Sequence, residues 1–214
     1  MKWIGLCVAI GAYVLCGSTQ AAPTYSFAPV TSNSTLNVAI GQAQMFVDLS
    51  DVGSHQVLFT FTNIGPEPSS IADVYFDDGS LLGIASIQDS GSGVAFSQFA
   101  KPSNLPGGHS LTPSFETTRG FSADSDPPVQ PNGVNPGEWL GIVFDLQSGR
   151  TFTDVVQDLD DGTLRIGIHV QGFQNGGSES FVNNGTATIP APGAILLSGI
   201  GTAVIGFLRR RRAV

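Results

Sequence analysis

Leu164-Arg165-Ile166-Gly167-Ile168-His169-Val170 alternates apolar with polar or small residues without a break. A period of two places Leu164, Ile166, Ile168 and Val170 on one face of a strand and Arg165, Gly167 and His169 on the other, so the segment reads as a β-strand with one face on a core. Two stretches repeat the pattern. In Gln56 to Ile64, Val57, Phe59 and Phe61 alternate with Leu58, Thr60 and Thr62, and the phenylalanine side is expected to face inward. In Leu140 to Leu146, Leu140, Ile142, Phe144 and Leu146 alternate with Gly141, Val143 and Asp145.

Outward from these three, shorter strands are expected at Ile71–Phe76, Leu81–Ile87, Val94–Phe99, Ser114–Ser122, Ser180–Val182 and Thr186–Ile189. Their boundaries are turn chemistry: Gly65-Pro66-Glu67-Pro68, Asp77-Asp78-Gly79 and Asp89-Ser90-Gly91-Ser92-Gly93. Lys101 to Gly108 and Asp124 to Gly137 hold too many prolines and glycines for strands, and a loop as long as the second is often functional. One short helix is expected, because Phe152, Val155, Val156 and Leu159 fall on one helical face, Thr151 and Asp154 form a capping pair, and Gly162 closes the end. About nine strands and one helix predict an all-β fold, an antiparallel β-sandwich of which the jelly roll is one form.

The two ends have a different character. Lys2, the apolar stretch Trp3–Leu15 and the small residues up to Ala21 read as a secretory signal peptide, residues 1–21, cut after Ala21. Cys16 lacks the small preceding residue that a lipidated cysteine needs, since Tyr13-Val14-Leu15 stands before it. At the other end, Pro190-Ala191-Pro192-Gly193 leads into an uncharged run, 194–208, and then Arg209, Arg210, Arg211 and Arg212. Fifteen residues of helix reach about 22 Å, so the run spans a hydrocarbon core of about 30 Å only marginally as a single transmembrane helix. A buried core helix is the alternative, but only Ser198 and Thr202 interrupt the apolar character. The arginines would hold the C-terminus in the cytoplasm and leave residues 22–189 outside as one extracytoplasmic domain.

In order and composition, residues 190–212 resemble the PEP-CTERM sorting signal, in which a Pro-Glu-Pro motif, a short apolar helix and an arginine cluster mark an exported protein for an exosortase. The central Glu of that motif is Ala191 here. The resemblance implies a membrane tail that is removed or replaced after export, with signal peptidase and an exosortase-like enzyme as transient partners. The stretch from Tyr75-Phe76-Asp77-Asp78-Gly79 through Leu164 to Gln171 is also similar to exported proteins of this class whose biochemical role is uncharacterised, so no activity follows from the resemblance.

Charge and cysteine usage fit an exported domain. Both cysteines, Cys7 and Cys16, lie within residues 1–21, which leaves the domain no disulfide, thiolate metal site or cysteine nucleophile. Of 9 basic residues only Lys101, Arg119, Arg150 and Arg165 lie in the domain, against all 17 acidic ones, a net charge of −13. Such a surface excludes nucleic acid and anionic lipid as partners of the domain.

Chemical motifs are few. His55, His109 and His169 have no metal-ligand spacing and are expected at the surface or in turns, and no serine sits in a Gly-x-Ser-x-Gly elbow. Acidic clusters occur at Asp77-Asp78, at Asp124 with Asp126, and at Asp158 with Asp160 and Asp161. The last group departs from an EF-hand loop, with its glycine one place early, and reads either as a calcium site or as a helix end. Trp139, the domain's single tryptophan, borders the long loop and is either packed at a strand start or a stacking platform for a sugar. The expected function is an exported cell-surface or extracellular-matrix protein with a structural or interaction role, no catalysis and no cofactor. The alternatives are an exopolysaccharide-binding module and a calcium-dependent polysaccharide-acting enzyme.

Overall fold

A computed structural model describes residues 22–77, 82–89, 93–118, 121–147 and 149–185. The proposed signal peptide, the expected strand Thr186–Ile189 and the whole of 190–212, with its apolar run 194–208 and four arginines, lie outside the described residues. Among the described residues no helix is long and apolar enough to cross a membrane.

The described chain is mostly antiparallel sheet with three helices. Its strands are β1 (Thr24–Pro29), β2 (Met45–Gly53), β3 (Gln56–Asn63), β4 (Ser70–Asp77), β5 (Leu82–Asp89), β6 (Phe96–Gln98), β7 (Ser122–Ser125), β8 (Trp139–Leu146), β9 (Arg165–Gln171) and β10 (Glu179–Asn183). The helices are α1 (Thr35–Gln44), α2 (Val129–Asn132) and α3 (Phe152–Asp161), with one 3-10 turn at Gly108–Ser110. The order across the sheet is β5-β8-β3-β2-β1-β10-β9-β4-β7-β6. β1 joins its two halves: Thr24–Ser26 pair with β2, and Phe27–Pro29 pair with β10.

The halves meet across aromatic rings. Phe76 of β4 lies 5.3 Å from Phe59 of β3 and 4.7 Å from Phe144 of β8, all steeply inclined to one another. Edge-to-face packing of this kind adds roughly 0.5–1.5 kcal/mol per pair beyond burial. Val57, Phe59 and Phe61 are fully buried, as are Leu164, Ile166, Ile168 and Val170, so the period-two readings hold. α3 caps the core with Val155 and Leu159, and its N-terminal capping box of Thr151 and Asp154 is formed.

Several expectations are corrected. β1, β2 and α1 add to the expected elements: α1 has no clean apolar stripe and buries Asn37 and Gln44 beside Ile40 and Gly41, so packing rather than pattern makes it a helix. Three helices replace the expected one. Ser114–Ser122 is not one strand, because Ser114–Thr118 runs as loop and pairing begins at Ser122. Within the expected loop 124–137, α2 forms and Val134 bridges Ile71. The Val94–Phe99 strand shrinks to Phe96–Gln98, and Phe99 turns to φ 77°, a region costly for a bulky residue. The face of β9 expected to be open is partly roofed instead: Tyr75, Leu105 and Phe115 form a second small core over it, and Arg165 stacks 5.3 Å from the Phe115 ring.

Candidate functional site: an open sheet face and a buried acidic row

Trp139 opens β8 with its side chain opposite in sense to buried Leu140, and so it stands on the outer face of the β5-β8-β3-β2 half, 38% exposed. Its seat is Gly141. A Cβ at that position would lie 3.3 Å from Trp139 Cζ3, 3.1 Å from Leu58 Cδ1 and 3.4 Å from Gln88 Cβ, so the bare glycine is what lets the ring lie close to the sheet. Thr62 stands opposite Trp139 on β3, and Phe46 of β2 stands opposite Thr62. Of the two sequence-level options, strand-start packing and open platform, the geometry gives an aromatic side chain part-seated on the sheet and part open.

The long loop beside Trp139 is tied down. Asn135 donates to Glu138 Oε2 from both its backbone N–H (2.9 Å) and its side-chain amide (3.0 Å), and Gly137 N–H donates to Asn63 O at 2.7 Å. With Pro66, Pro68, Gln130 and Pro131 this loop walls a shallow cleft of about 430 Å³.

The acidic side chains are largely engaged by their own chain. Glu179, 1% exposed, accepts from the Thr31 hydroxyl (2.6 Å), Asn33 N–H (3.1 Å) and Ser34 N–H (2.7 Å), and so anchors the turn that starts α1. Asp77 pairs with Arg165, whose guanidinium also donates to Pro113 O and Ser114 O. Asp161 accepts from Thr163 N–H (2.9 Å) and Asp160 from the Tyr25 hydroxyl (3.1 Å). Asp158, Asp160 and Asp161 thus sit in the last turn of α3, and among the described residues no group of three or more His, Cys, Asp or Glu side chains converges as a metal site.

His169 corrects the surface expectation. Its side chain is only 13% exposed, and its Nδ1 lies 2.9 Å from Oδ2 of Asp73. Asp73 faces His169 across the β4–β9 pair and Asp124 across the β4–β7 pair, so the three form a row over three strands. Asp73 Oδ1 is buried with no hydrogen-bond partner, and Asp124 stands opposite Asp73 on the neighbouring strand. Burial first, and then the hydrogen bond and charge of Asp73, push the Asp124 carboxyl up to about 6, against a lowering contribution from the Lys101 N–H. His55 and His109 are exposed, in a turn and in the 3-10 turn.

Sequence reasoning missed Phe46, Gly141, Asp73 and Glu179. Met45-Phe46-Val47-Asp48-Leu49 does alternate, and that signal places Phe46 on an outer face. Nothing local marks the buried acids, because their partners come from other strands. Compared with protein-family models, with curated proteins and with solved structures, the chain finds no match.

Proposed function

We propose that the chain is exported and that its domain, a two-layer antiparallel β-sandwich, works at the cell surface or in the extracellular matrix through binding rather than catalysis. The observation that carries this reading is the state of the acidic side chains: Glu179, Asp73, Asp77 and Glu138 are engaged in holding loops and strands. An acid or base that must exchange protons with a substrate needs an open reacting atom. Export is supported by the leader-like residues 1–21 and by Pro190, Ala191, Pro192, Gly193 and Arg209 to Arg212, which resemble a sorting signal read by an exosortase-like enzyme. The membrane is then a transient partner through residues 194–208.

Cell fractionation tests the reading: the domain is expected in surface or extracellular fractions, and recovery of intact chain from the cytoplasm overturns it. Mass spectrometry of the mature C-terminus is expected to end before residue 194. A second reading, an exopolysaccharide-binding module, is favoured by the open side chain of Trp139.

A further inference from the structure

Two aromatic side chains on the outer face of the β5-β8-β3-β2 half belong to neither apolar core. Trp139 and Phe46 stand in one row, separated only by Thr62 on the strand between them. Neighbouring strands are roughly 4.8 Å apart, so the two positions lie about 10 Å from each other. That is close to the advance of two sugar units along an extended polysaccharide. The next row reads Gln88, Gly141, Thr60, Asp48, and the Asp48 carboxylate is engaged by the Thr24 hydroxyl. Among the described residues this face is part-exposed: Leu58, Thr60, Thr62 and Phe46 are all part-exposed along their strands while every second residue between them is buried.

We propose that this row is a binding track for a neutral polysaccharide chain, with Trp139 and Phe46 stacking on sugar rings and Thr60, Thr62 and Gln88 hydrogen-bonding to sugar hydroxyls. The track rests on the reading of the domain as a binding domain and names its ligand class. A sugar ring presents an apolar face rimmed by hydroxyls, which matches an aromatic ring bordered by hydroxyl and amide groups. Polyanions are disfavoured, because a domain of net charge −13 repels them. Gly141 has a specific part, since it keeps the floor low enough for the indole to lie along its own strand.

The whole chain, held in mild detergent, is run by affinity electrophoresis through gels containing dextran, mannan, xylan or alginate. Retardation is expected in at least one neutral gel and not in alginate. Trp139→Ala and Phe46→Ala are each expected to weaken it by about tenfold or more. Gly141→Ala, which crowds the indole, weakens it without a change in the thermal melt, whereas Leu36→Ser, an exposed apolar position on α1, leaves it unchanged. Retardation in none of the neutral gels, or in alginate alone, overturns the ligand class. Retardation of Trp139→Ala equal to wild type, with the same melt, overturns the track. None of these outcomes bears on localisation, so the failure of the broader reading, seen as cytoplasmic recovery, stays distinguishable.

Discussion

At the scale of single residues, the Asp124 carboxyl sets a pH dependence whose sign is fixed. Its ordinary value is 3.8 and the fold moves it up to about 6, so the folded chain holds this proton more tightly than the unfolded chain does. The stability tied to it is complete below pH 3.8 and is lost as pH rises through about 6. Asp126 and the N–H of Lys101 also act on this carboxyl, while His169 meets Asp73 from the other side. Asp124→Asn keeps a neutral group that can donate to Asp73. It is therefore expected to flatten the fall in Tm across this window and to melt higher than wild type above it, as scanning calorimetry at a series of pH values would record. Gly41 gives a second test. Alanine there gains about 1 kcal/mol of helix propensity, but its Cβ would meet the Phe181 ring at 2.2 Å. Overpacking costs typically about 1–3 kcal/mol, so Gly41→Ala is expected to lower unfolding free energy in urea titrations. Nothing in the local sequence announces either effect, because Asp73 and Phe181 arrive from distant strands.

Among the elements, α3 is the one whose sequence and structure agree most closely. Its apolar face, cap and terminal glycine are all local, so the pattern Thr151 to Gly162 suffices to place it. The Asp154 carboxyl is held below its ordinary range by the Thr151 hydroxyl and N–H. Its contribution is therefore present above that range and lost as pH falls. Thr151→Ala is expected to destabilise by about 0.5–2 kcal/mol near neutral pH, and the difference from wild type should shrink in acid, as paired urea titrations at the two pH values would show. α1 is the opposite case. Its buried face is made of Asn37, Ile40, Gly41 and Gln44, and Gln44 donates to Glu67 O (3.0 Å) and accepts from Glu67 N–H (2.7 Å), so the helix is specified by a distant turn. The segment between β6 and β7 is likewise held by distant partners: Ala100, Leu105 and Phe115 pack with Tyr75 in the second core.

For the molecule as a whole, stability rests on the ring cluster between the two halves of the sheet. Phe76 touches Phe59, Phe61 and Phe144 together, so Phe76→Ala removes the centre of the packing. A loss of about 3–5 kcal/mol is expected, against a total of about 5–15 kcal/mol for a domain, and circular dichroism should find the variant largely melted at temperatures where wild type is folded. With both cysteines in residues 1–21, reductant is expected to leave the melt of the processed chain unchanged. The sequence by itself determined the β class, the inward faces of β3, β8 and β9, and helix α3, because periodicity and capping are properties of neighbouring residues. It also carried the leader-like start and the Pro190 to Arg212 pattern on which the export proposal stands. Tertiary structure alone decided strand order, the swing of β1 between the two halves, the Asp124–Asp73–His169 row and the alignment of Trp139 with Phe46. Each of these joins residues far apart in the chain, and a period of two fixes which face a side chain takes but not which strand becomes its neighbour.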